Sequence, residues 1–74
     1  MKYEFKYDYP YVKIYINDFL HLKFNKLEFI GAQSWVSGND LFCIEYSFKN
    51  DQTILSEYDS QEKWIGVLEL IEKI

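Results

Sequence analysis

YEFKYDYPYVKIYINDFLHLKF, residues 3–24, decides the fold, because apolar and polar side chains alternate with a period of two along almost its whole length. Tyr3, Phe5, Tyr7 and Tyr9 fall on one side, and Lys2, Glu4, Lys6 and Asp8 on the other, which predicts a half-buried strand over 2–9. Pro10 has no N–H to give to a ladder, so the strand breaks there. Val12, Ile14 and Ile16 then continue the apolar parity over 11–16, opposite Tyr11, Lys13 and Tyr15. Asn17-Asp18 is a turn dipeptide, and beyond it Leu20, Leu22 and Phe24 alternate with Phe19, His21 and Lys23, predicting a third strand over 19–24.

Outward from this stretch the same period recurs. Residues 27–36 (LEFIGAQSWV) read as a fourth strand, broken or bulged at Gly31. Ser37-Gly38-Asn39-Asp40 is the clearest loop signal in the chain, since Gly and Asn tolerate the positive φ of hairpin loops. Strands follow over 41–48 and 53–58, joined by Lys49-Asn50-Asp51-Gln52. From Asp59 the period changes: Trp64, Val67, Leu68, Ile71 and Ile74 recur at helical spacing, widened by Ile65 and Leu70, with Glu69 and Lys73 opposite. An amphipathic helix is expected over about 60–73, with Asp59 as N-cap and Glu62 completing a capping box. Gly66 inside it costs about 1 kcal/mol relative to Ala, a penalty that a close crossing over the sheet would justify. The expected architecture is α+β: one domain over 1–74, an antiparallel β-meander of five to six strands with one C-terminal amphipathic helix packed on one face. A helix of that length is too short to cover the whole sheet, so part of the sheet needs other cover.

Composition limits how such a chain is held together. With 74 residues there is one core to build, and one cysteine (Cys43) and one histidine (His21) supply neither an internal disulfide nor a zinc site. Packing must do the work, and 49% hydrophobic residues, 20% of all residues being aromatic, suit it. An unpaired thiol and the absence of any long apolar run predict a cytoplasmic chain with no membrane span. The net charge of −4 is unevenly spread, with one net positive charge over residues 1–30 and five net negative charges over 31–74. Arginine, the residue best suited to bidentate phosphate and guanine contacts, is absent, so direct nucleic-acid binding is not expected. The lysine-rich, aromatic, arginine-free composition suits an AT-rich bacterium or its phages.

No motif ties the chain to a catalytic or cofactor-binding class. Gly31, Gly38 and Gly66 are isolated from one another and make no phosphate loop. The pairs Asn17-Asp18, Asn39-Asp40 and Asn50-Asp51 lie at expected turns and lack the spacing of a calcium loop. No metal and no cofactor are therefore expected. Two surfaces are candidates for docking. Glu45, Glu57, Asp59 and Glu62 form an acidic group that a hairpin of the last two strands would gather, suited to steering a basic partner. Tyr11, Tyr15 and Phe19 are candidate anchors on the parity that they share with Lys13, His21 and Lys23, and Trp35 beside the Ser37–Asp40 loop is a further anchor.

The leading expectation is a small acidic, non-enzymatic protein-binding module. One form of it is an inhibitor that occupies the basic surface of a nuclease or other nucleic-acid-binding complex, as phage anti-defence proteins do. Two alternatives come from other classes: a ligand-binding or enzymatic half-barrel using His21 and Cys43, and a self-associating structural protein in which an uncovered sheet face makes a homodimer.

Overall fold

Tight turns with left-handed backbone set the strand lengths in the computed structural model, which describes residues 2–74. Strands β1 (Tyr3–Asp8) and β2 (Tyr11–Ile16) join through Tyr9 and Pro10, and β2 joins β3 (Phe19–Asn25) through Asn17 and Asp18, whose φ values of 52° and 68° are the pair a two-residue hairpin requires. After β3 the chain makes a 3-10 turn at Lys26–Glu28. Strands β4 (Phe29–Val36), β5 (Phe42–Phe48) and β6 (Thr53–Tyr58) follow, and helix α1 spans Gln61–Glu72. The chain is thus α+β and mostly antiparallel sheet.

The expected single meander is corrected in one respect: the described strands form two three-stranded sheets, β1-β2-β3 and β4-β5-β6, and no ladder joins β3 to β4. The 3-10 turn is the cause. Asn25 Oδ1 accepts from the Leu27 N–H at 2.9 Å and turns the chain out of the first sheet. The Lys26 N–H donates to the Pro10 carbonyl at 2.8 Å, and the Glu28 carbonyl accepts from the Lys49 N–H at 2.9 Å, so the connection is tied to both sheets. The fourth strand accordingly begins at Phe29, two residues later than its pattern suggested.

The cover that a short helix could not supply comes from the second sheet. Val12, Ile14, Leu22 and Phe24 of the first sheet meet Ile44, Tyr46, Phe48 and Tyr58 of the second in one buried cluster that Val67 of α1 completes. Near the 3-10 turn, Phe24 packs on Phe29, Tyr46 and Phe48 with ring centroids 5.1, 6.0 and 5.6 Å away. The helix packs on β5 and β6, where Trp64 lies 5.4 Å from Phe42 and donates its Nε1–H to the Cys43 carbonyl at 3.2 Å.

Two details of the helix differ from expectation. Its N-cap is Ser60, not Asp59: Ser60 has extended backbone and its hydroxyl accepts from the Lys63 N–H, while Asp59 pairs through its side chain with Lys63 Nζ at 3.4 Å. Glu62 is then in the first turn without closing a capping box. Ile65, expected on the apolar face, is 43% exposed. Gly66 behaves as expected. A Cβ there would sit 2.8 Å from Cε2 of Tyr3, so only glycine lets α1 approach β1 this closely.

Candidate functional site

Strand register assigns each candidate residue to a face, since residues directly opposite on neighbouring antiparallel strands point the same way. In the first sheet, Ile14 lies opposite Phe5 and Leu22 on the core side, and the next row belongs to the outside. That outer row is Lys6, Lys13 and Lys23, three ammonium groups in line across three strands. Tyr11 and Tyr15 flank it on β2. Lys23 Nζ lies 4.9 Å from the Tyr11 ring centroid and Lys6 Nζ 5.2 Å from that of Tyr15, so both expected anchor rings carry a cation. Glu4 and Asp8 approach Lys6 and Lys13 at 3.6 Å each and offset part of the repulsion. Phe19, the third expected anchor, does not share this face: at the β2–β3 hairpin it lies opposite Ile16, on the other side of the sheet from Tyr11 and Tyr15, and is 77% exposed.

A bulge places His21 and Lys23. Ile16 pairs with Phe19 and Tyr15 with Leu20, but Ile14 pairs with Leu22, leaving His21 as the extra residue. Below the bulge Leu22 and Phe24 return to the core. Above it Leu20, expected in the apolar stripe, is 52% exposed. The His21 ring is turned onto Tyr58, with centroids 4.9 Å apart. Burial against this ring and, second, the positive charge of Lys63 lower the His21 pKa from its ordinary 6.5, which favours the neutral imidazole.

Cys43 does not line the cleft beside His21. That cleft, of about 400 Å³, is bounded by Glu57, Tyr58, Asp59 and Lys63. Cys43 is buried, its thiol 3.8 Å from the Leu41 carbonyl. A second cleft, of about 420 Å³, lies farther along the same seam between β3 and β6, next to Lys23, Phe24, Thr53 and Ile54. Among the described residues, no group of three or more His, Cys, Asp or Glu side chains is placed to hold a metal ion, and no helix is long and apolar enough to cross a membrane.

The acidic candidates divide. In the second sheet Cys43 is opposite Trp35 and Glu57, and Glu45 is opposite Gln33 and Leu55. Trp35, Glu45 and Glu57 therefore share its outer face, where Trp35 is 40% and Leu55 52% exposed. Asp59 lies beyond the end of β6 with its charge offset by Lys63. Glu62 is on α1, close enough to Tyr3 for its charge to help raise that phenol's pKa.

The lysine row is the feature that sequence reading missed, although Lys6 and Lys13 are equidistant from the Tyr9-Pro10 turn and so had to face each other. No family model matches the chain, and neither does any curated protein or solved structure.

Proposed function

We propose that the chain is a non-enzymatic protein-binding module whose docking surface is the outer face of the second sheet and whose partner presents a basic surface. The observation that carries this reading is the register of β4, β5 and β6, which sets Trp35, Leu55, Glu45 and Glu57 on one exposed face with no lysine opposite them. An exposed indole and a leucine give such a face its anchors, and the carboxylates steer the encounter. The lysine row of the first sheet would repel the same partner, so docking is assigned to the second sheet and not to Tyr11 and Tyr15. Proteins that bind nucleic acid present basic grooves, and an acidic chain lodged in such a groove would exclude the natural ligand. Inhibition of a nuclease or other nucleic-acid-binding complex, of the phage anti-defence kind, is the form of the reading that follows.

The test compares the wild-type chain with a Glu45→Lys/Glu57→Lys variant as baits against nucleic-acid-binding proteins, at low and high salt. The wild type is expected to retain a basic protein at low salt and release it as salt screens the contact, and the variant to retain none. Equal retention by both, or retention indifferent to salt, would overturn the reading.

A further inference from the structure

Two sheets of three strands have four edges, and three of these carry charge: Glu4, Lys6 and Asp8 on β1, Lys23 on β3 and Glu57 on β6. Charged side chains on an edge strand guard it against pairing with another chain. The same three edges each touch another element. Tyr3 of β1 lies under α1 at Gly66, and β3 and β6 meet each other through His21 and Tyr58. Strand β4 has neither protection. Its eight residues, FIGAQSWV, include no charge and no proline; six of them are exposed, and only Phe29 joins the core. Alternate N–H and C=O groups of this edge point away from β5.

We infer that β4 pairs with β4 of a second copy of this chain, antiparallel about a two-fold axis, joining two three-stranded sheets into one of six strands. The strand is suited to itself. A two-fold axis normal to the sheet keeps the outer faces of both copies on one side, so odd-numbered residues must meet odd-numbered ones. With the axis at Gln33, each Trp35 lies opposite Gly31 of the second copy, where no side chain competes with the indole, and Ser34 lies opposite Ala32. The same register brings the exposed Val36 and Ile30, 52% and 64% accessible, towards each other. An axis at Ala32 would need Phe29, which is committed to the core, and one at Ser34 would shorten the overlap. An uncharged strand is one that can meet its own copy without apposing like charges.

Light scattering coupled to size exclusion, over a range of concentrations, tests this directly. The wild type is expected to reach twice the 9.0 kDa chain mass as concentration rises, with little response to salt. Gln33→Lys, which sets two ammonium groups against each other on the axis, is expected to stay monomeric while keeping its circular dichroism spectrum; Thr53→Lys, at an exposed position of β6, is expected to leave dimerisation intact. A wild type that remains monomeric throughout, a dimer untouched by Gln33→Lys, or one dissolved by salt would overturn the inference. The acidic-face reading does not depend on it, because that reading is tested by Glu45→Lys/Glu57→Lys in chains of either oligomeric state.

Discussion

Gly66 and Tyr3 show how much a single atom decides. Gly66→Ala would gain about 1 kcal/mol of helix propensity, but the new methyl would meet the Tyr3 ring at 2.8 Å, and overpacking costs about 1–3 kcal/mol. Net destabilisation is expected by chemical denaturation, and it should vanish or reverse in a Tyr3→Leu background; an equal cost in both backgrounds would show that the ring is not the cause. Tyr3 carries a second liability, since its hydroxyl is buried without a hydrogen-bond partner. Tyr3→Phe is therefore expected to stabilise the chain by about 1 kcal/mol. The same burial pushes the phenol up to about 12, and burial also raises Tyr46 and Tyr58. Because the folded pKa of Tyr3 lies above the ordinary 10.0, the stability that its neutral phenol contributes is complete below pH 10 and lost as pH rises through about 12. Base titration followed by phenolate absorbance should show unfolding in that window, and Tyr3→Phe should move it upward. His21 has the opposite sign. Its lowered pKa means that stability is complete above 6.5 and declines as pH falls below that value, a decline that His21→Gln should remove from urea midpoints measured between neutral and mildly acidic pH.

At the scale of elements, the choice between two candidate caps is open to measurement. Ser60→Ala is expected to cost about 1 kcal/mol, because the Lys63 N–H loses its acceptor, whereas Asp59→Ala removes only an exposed ion pair worth less than about 0.5 kcal/mol. A larger loss from Asp59→Ala would restore it as the cap. The six strands and the helix were legible because alternation and the helical period depend on side chains within one element. The bulge was legible in principle. A two-residue turn at Asn17-Asp18 pairs residues whose numbers sum to 35, yet matching Ile14 with Leu22 needs 36, so one residue had to be left over. The split into two sheets was harder to read, since Asn25-Lys26 looks like one more tight turn between neighbouring strands and Leu27 like the start of the next, and what turns the chain out of the first sheet is a cap at Asn25 and hydrogen bonds to turns remote in sequence. Of the candidate site, the face shared by Trp35, Glu45 and Glu57 follows from hairpin register. The separation of Asp59 and Glu62 from it depends on where the helix starts.

For the whole molecule, cohesion is concentrated where the sheets face each other. Ile44 is fully buried there, and Ile44→Ala is expected to cost about 2–5 kcal/mol, a large part of the roughly 4–11 kcal/mol that a chain of this size commands. Thermal melts should show that loss, and a small one would mean that the sheets repack. Charge follows the same division, with the lysine row on one outer face and Glu45 and Glu57 on the other, so a basic partner meets an oriented dipole before contact. The division is also one of chain order, because each sheet is built from consecutive strands, one before Lys26–Glu28 and one after. Neither half can hide its apolar face by itself, yet each contains all of its own ladder. Severed within that turn, the two fragments should be unstructured separately and reconstitute on mixing, which makes the connection a natural place to divide the molecule into a complementing pair.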